Sequence, residues 1–212
     1  PVPLFGLAVK VAKRGDEQKL TDALHKLESE DPCFHIEHNA AANETVMRGL
    51  GELHLKVLMN RLSEQFHVDI ETHPPSIPYR ETIKKKVRVQ GKHKKQTGGH
   101  GQFGDCWIVM EPLPRGAGFE FVDAIVGGVI PKTYIPAVEK GIVESAKKGV
   151  LAGFPTVDFR ATLDFGSFHA VDSSEMAFKV AGSLAFKKAV ADAKPVLLEP
   201  IMEVAVTTPD EY

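Results

Sequence analysis

An α+β architecture in two parts is what this sequence predicts, and three observations carry the prediction. Segments that alternate apolar and polar residues are interleaved with segments whose apolar residues recur at helical spacing. Over residues 4–70 their order is β-α-β-β-α-β, the ferredoxin-like split pattern. The stiff run His73-Pro74-Pro75-Ser76-Ile77-Pro78 then breaks the periodicity and marks a boundary. The expected division is residues 1–76 for the ferredoxin-like part and 77–196 for a second, α/β part.

The elements follow from local pattern. Leu4–Val11 alternates, with Phe5, Leu7, Val9 and Val11 on one face of a strand. Asp16 is placed to cap a helix with Leu20, Ala23, Leu24 and Leu27 at i, i+3, i+4 and i+7, and Asp31-Pro32 ends it. Phe34, Ile36 and His38 predict a second strand, Asn39–Asn43 a turn, and Thr45–Arg48 a short third strand. Gly49 and Gly51 lead into a helix carrying Leu53, Val57, Leu58, Leu62 and Phe66, and Val68 and Ile70 supply a fourth strand. Met47, Met59 and Phe66 are expected in the core.

In the second part, Val87 and Val89 alternate with Lys86 and Arg88 as a strand, and alternation resumes in Cys106–Met110. Between them lie four glycines in residues 98–104, which predict a loop. Phe119, Phe121 and Val122 predict another strand, and Gly127-Gly128 a loop. Pro131 is placed to open a helix through Ile135, Val138, Ile142 and Ala146, with Gly149 as its stop. Val157, Phe159, Ala161 and Leu163 predict a strand that gives way to a loop over residues 164–171. Asp172-Ser173-Ser174-Glu175 reads as a capping box with Asp172 as the cap, followed by a helix through Ala177, Val180, Ala181, Leu184 and Ala185 to about Asp192. Leu197–Thr207 predicts a last strand. The chain opens at Pro1 without Met and stops just after that strand, so a segment of a longer protein is expected.

Composition narrows the class. Apolar residues make up 43% and charged residues 25%, with a net charge of only -2. That is a globular chain with a real core, and any contact with polyanions must be local. Two cysteines far apart, Cys33 and Cys106, do not make a disulfide framework. No apolar run approaches a membrane span, no signal peptide opens the chain, and a cytoplasmic location is expected.

The charge is concentrated. Residues 84–104 hold seven Lys/Arg and no acid, and they run up one strand into the glycine loop. A basic arm that ends in bare backbone amides suits a phosphate-rich partner. The alternative is a solvated edge strand whose lysines discourage unwanted pairing.

Rival chemistries find less support. No G-x-x-x-x-G-K-[ST] is present, and the glycine loop joins two strands instead of opening a helix, which argues against a nucleotide site. His35 and His38 fall on opposite faces of their strand, and no Cys-x-x-Cys or His-Glu-x-x-His occurs, so no metal ligands are assigned. Glu52 and His54, two apart at a helix start, do not face each other and read as surface polarity. Nothing pairs a nucleophile with a base, so no catalytic residue is assigned. Two loops support each other instead. Residues 96–104 offer amides, His100 and Gln102, and residues 166–171 offer Phe168 and His169. Emerging at one end of one sheet, they would form a narrow tip suited to folded RNA.

Several longer motifs carry a resemblance. Gln96-Thr97-Gly98-Gly99-His100-Gly101-Gln102-Phe103-Gly104, Glu111-Pro112-Leu113-Pro114-Arg115-Gly116, residues 125–131 (Ile-Val-Gly-Gly-Val-Ile-Pro) and residues 169–178 (His-Ala-Val-Asp-Ser-Ser-Glu-Met-Ala-Phe) resemble domain IV of elongation factor G. Residues 49–55 (Gly-Leu-Gly-Glu-Leu-His-Leu) resemble its domain III, and residues 198–202 (Leu-Glu-Pro-Ile-Met) the passage into domain V. The resemblance implies a ribosomal translocation factor reduced to domains III and IV, with residues 197–212 the start of a truncated domain V. It implies a left-handed βαβ crossover in domain IV, an exception to the usual handedness. It also implies a GTPase parent with GTP and Mg held in a domain missing from this chain, and no cofactor in this part.

The implied partners are the ribosome, through small-subunit rRNA and the tRNA–mRNA duplex, and the parent's other domains. The implied contact residues are Lys94, Lys95, Gln96, Thr97, Gly98, Gly99, His100, Gly101, Gln102 and Phe103 on one loop, and Ser167, Phe168 and His169 on the other. Gln102 and His169 occupy the family's functional tip positions. The family's usual loop reads Gly-Gly-Arg-Gly-Gln-Tyr-Gly; His100 and Phe103 stand here in place of its Arg and Tyr, and Asp105 and Ala170 also depart from it. Those departures leave open a divergent paralogue serving ribosome recycling. A protein-interaction module acting through the first part is the competing function class.

Overall fold

The computed structural model describes residues 2–39, 42–96, 98–201 and 203–204. The structure is mixed α+β and divides into two units, Pro1–Pro78 and Tyr79–Tyr212, each with its own core. Of the expected Asn39–Asn43 turn, residues 40 and 41 lie outside the described residues, as does Thr97.

The first unit runs β1 (Phe5–Val11), α1 (Glu17–Glu30), β2 (His35–Asn39), β3 (Glu44–Gly49), α2 (Glu52–Glu64) and β4 (Ile70–His73). Its sheet has the order β2-β3-β1-β4, every neighbouring pair antiparallel, which is the ferredoxin-like arrangement. Leu20, Ala23, Leu24 and Leu27 of α1 are all buried against Val9 and Met47 of the sheet, as their spacing predicts. Asp16 holds the N-cap position of α1, but its side chain makes no cap bond. The neighbouring Glu17 carboxylate accepts the Gly15 N–H instead, at 2.9 Å.

In α2 the buried stripe is Leu55, Leu58 and Leu62, while Leu53 and Val57 face out, 76% and 51% exposed. The helix is set by Leu55 sitting over Gly49: a Cβ there would meet Leu55 Cδ2 at 2.8 Å. His54 is also more than surface polarity. Its Nδ1 accepts the Leu50 N–H at 3.1 Å and its Nε2 lies 2.8 Å from Asp31 Oδ2, which ties the start of α2 to the end of α1.

The second unit runs β5 (Arg80–Ile83), β6 (Val87–Lys95), β7 (Gln102–Pro112), β8 (Phe119–Asp123), α3 (Ile135–Lys148), β9 (Phe159–Ser167), α4 (Glu175–Asp192) and β10 (Pro195–Leu198). Its main sheet has the order β6-β7-β9-β8, with β8 and β9 parallel across the α3 connection and the other pairs antiparallel. Phe178, Phe186, Val190 and an alanine ladder at 177, 181, 185 and 189 of α4 are buried against this sheet. Leu184, expected on that face, is 41% exposed.

Several expected boundaries move, among them the strand starts expected at Val68 and Val157, which fall at Ile70 and Phe159. The helix α3 starts at Ile135 because Pro136, with no N–H to give, fits its first turn, whereas Pro131 accepts the Tyr134 N–H in a preceding turn. The 98–104 loop is shorter than its glycines imply: Gly104 lies buried within β7, where a Cβ would meet the Ala177 carbonyl at 2.5 Å. The strand β9 runs on to Ser167 by pairing with β7, with a register slip between Trp107 and Ile108.

The cap of α4 is Ser174, whose side chain accepts the Ala177 N–H at 3.1 Å; Asp172 is used elsewhere. The final strand begins at Pro195, ends at Leu198 and pairs with the unforeseen β5. Beyond Leu198, residues 202 and 205–207 of the expected strand lie outside the described residues.

A buried carboxylate pins this unit from beneath. Glu81 on β5 accepts N–H bonds from Val150, Leu151, Ala152 and Phe154 at 2.7–3.1 Å. Burial alone would raise its pKa, but these donors outweigh burial and hold it below the usual value. No helix among the described residues is long and apolar enough to cross a membrane.

Candidate nucleic-acid interface

Two strand ends meet at one apex. Strand β6 ends at Lys95 and β7 begins at Gln102, and the segment 168–174 links β9 to α4. They are joined by backbone and side chain. The Gly101 N–H donates to Asp172 Oδ1 at 3.0 Å, and the Phe103 N–H to the Asp172 carbonyl at 2.8 Å. Ser173 Oγ donates to the Phe103 carbonyl at 2.9 Å and accepts the His169 N–H at 2.9 Å. Sequence reasoning assigned Asp172 and Ser173 to a helix cap. The one available signal was the second serine, Ser174, which can take the cap and free them.

His169 is held by its own turn. Its Nδ1 accepts the Asp172 N–H at 3.1 Å and the Val171 N–H at 3.3 Å, so the neutral ring carries its proton on Nε2. The ring stays half exposed and lies 6.4 Å from the Phe103 ring, tilted by 56°. Lys92 Nζ sits 5.8 Å from the centre of the same Phe103 ring, and His93 Nε2 lies 2.8 Å from Gln102 Oε1. Lys92 and His93 went unassigned in the sequence because nothing there ranks one basic residue of the arm over another.

The arrangement gathers much of the predicted set. Lys94, Lys95, Gln96, Gln102, Phe103 and His169 line one small cavity together with Asp172. Asp172 is the only acid among them, and its carboxylate is engaged by the Gly101 N–H. The cavity therefore presents ammonium groups, amides, an imidazole and an aromatic edge, a set matched to phosphates and bases.

Other predicted residues sit apart from the cavity. Gly98, Gly99 and His100 are exposed at the bend, Gly98 and Gly99 at positive φ (60° and 74°), and Phe168 is 47% exposed. Gly101 approaches the Asp172 carboxylate so closely that a Cβ would lie 2.9 Å from Oδ2. The Ser167 hydroxyl is turned back to Asp105 Oδ2 at 2.7 Å, and Asp105 Oδ1 accepts from Gln90 Nε2 at 2.7 Å. That pair of bonds ties β6, β7 and β9 together one step below the apex. Asp105 was noted only as a departure from a resemblance.

Comparison with known proteins gives the family. Residues 1–74 match the family model "Elongation Factor G, domain III" and residues 75–194 the model "Elongation factor G, domain IV". A crystal structure from Thermus thermophilus aligns with a TM-score of 0.78 and 50% sequence identity. The alignment covers 93% of this chain and 29% of that one, so the chain spans less than a third of its relative's length. The chain belongs to the elongation factor G family of translation factors and comprises its domains III and IV.

Proposed function

We propose that the apex formed by residues 96–103 and 167–173 is the RNA-contacting tip of a ribosomal translocation factor. In this reading the tip enters the decoding site of the small subunit, follows the tRNA–mRNA duplex and blocks its return. Its work is steric and electrostatic, and no residue of this chain performs a bond-breaking step. Direction comes from GTP hydrolysis, with GTP and Mg held in a GTPase domain elsewhere in the parent, which acts in the cytoplasm. The observation that carries the reading is the double tie of Asp172 to Gly101 and Phe103, which presents Gln102 and His169 on one held surface.

A pre-ordered tip loses little conformational entropy when it binds, so its contacts are spent on position. The test is ribosome binding by the full-length parent as a function of salt. Replacing Lys94 and Lys95 by Ala should weaken binding and flatten the slope of log affinity against log salt. An unchanged slope removes those lysines from the contact. Normal behaviour of tip variants alongside loss from substitutions on the exposed Leu53–Val57 face would favour a protein-docking role instead.

A second reading has its own support. His100 and Phe103 replace the usual Arg and Tyr, so a permanent cation becomes a titratable one and a hydroxyl is lost. Those exchanges fit a paralogue acting in ribosome recycling, and a subunit-splitting assay separates it from the translocase.

A further inference from the structure

The main sheet of the second unit has helices on one face only, and its other face carries an unusual set of side chains. Gly91 and Gly104 turn their missing side chains toward α4, and Gly166 toward Ile130, so their strand neighbours point the opposite way. Those neighbours include Phe103, Asp105 and Trp107 on β7, Phe165 on β9, and Lys92 on β6. Trp107 and Phe165 are directly paired across β7 and β9. Phe165 is 48% exposed, a large apolar side chain at mid-sheet with nothing over it.

The Arg88 guanidinium lies 4.5 Å over the Trp107 ring and is held there by Asp164, at 2.7 Å from Nε and 3.3 Å from Nη2. Lys92 and Lys94 follow on the same edge strand, and neither has an ion pair among the described residues. At the far end of this face Arg160 and Lys86 are neutralised by Glu111 and Glu120. Aromatic rings and free cations thus run together toward the apex, and Phe103 to Trp107 spans about 13 Å at the usual rise per residue.

We infer that this open sheet face is a second nucleic-acid surface, which takes unpaired RNA bases on Phe165 and on the Arg88-capped Trp107, with Lys92 and Lys94 on the phosphates. An exposed phenyl ring beside a half-buried, guanidinium-capped indole, flanked by basic side chains on a sheet backed by helices, is what single strands need: π faces for any base and cations along the backbone. Duplex RNA keeps its bases stacked on each other and gains only the charge term. The inference concerns a sheet face that adjoins the apex and shares Lys94 with its cavity, and it does not require the translocation reading.

Trp107 is the only tryptophan in the chain, so its fluorescence reports on this face alone. Titrating the chain with unstructured oligouridylate should quench it saturably, with a midpoint that rises with salt. Phe165→Ala should weaken binding by about fivefold or more, and Phe165→Tyr should restore it, with thermal melts confirming that both variants fold. A double Gln102→Ala, His169→Ala variant should keep the quenching, which separates this surface from the apex. Absence of quenching overturns the proposal and leaves the face to a protein partner. Equal quenching by duplex RNA, or no effect of Phe165→Ala, overturns it as well.

Discussion

Asp172 accepts the Gly101 N–H at 3.0 Å across a sequence separation of 71 residues, and this bond closes the apex of the second unit. Two loops that would each fray alone become one surface, because an ionised acceptor on one loop meets a backbone donor on the other. Asp172→Ala should cost about 1 kcal/mol in chemical denaturation. It should also speed amide exchange at Gly101 more than at the core of β7. Unchanged exchange at Gly101 would mean the side-chain bond does not hold the loop.

Gly104 sets how near α4 lies to the sheet. Its Cβ would fall 2.5 Å from the Ala177 carbonyl oxygen and 2.7 Å from that residue's carbonyl carbon, and backbone cannot step aside as a flexible side chain does. Gly104→Ala is expected to lower stability by about 1–3 kcal/mol. A melting temperature within error of the parent chain would contradict the close approach.

Much of the fold could be read from the sequence because periodicity reports burial. The i, i+3, i+4, i+7 leucines of α1 are all in the core, and β-α-β-β-α-β order gave the sheet of the first unit. What escaped was decided by tertiary partners. Glycine was read as loop at Gly104, where it serves close packing, and the length of β9 depends on its pairing with β7. At the site, the resemblance pointed to Gln102 and His169, and both line one cavity. Asp172 and Ser173 were hidden because an Asp or Ser next to a helix has a local explanation that conceals a distant one, and Asp105 because its partners Gln90 and Ser167 come from neighbouring strands.

The Glu81 carboxylate makes stability depend on pH with a definite sign. Its pKa is lowered in the folded chain, so the unfolded chain binds the proton more readily. The stabilisation is complete above the ordinary carboxylate range and is lost as pH falls through the folded value. Glu81→Gln should lose about 2 kcal/mol at neutral pH and show a shallower loss on acidification than the parent chain. Parallel pH profiles would contradict this role.

The two thiols should differ in reactivity. Burial, then the neighbouring Asp105 charge, pushes the Cys106 thiol up to about 12, and the residue is fully buried. Cys33 is partly exposed. Iodoacetamide at neutral pH should label Cys33 and spare Cys106 until the chain is unfolded. Equal labelling in the native state would show that the sheet opens under α4.

The central claim is that the apex acts on RNA while hydrolysis proceeds elsewhere, and His169 tests it most directly. In the full-length parent, His169→Ala should slow movement of the tRNA–mRNA duplex while leaving ribosome-stimulated GTP hydrolysis nearly intact. Loss of both activities by the same factor would contradict that division of labour.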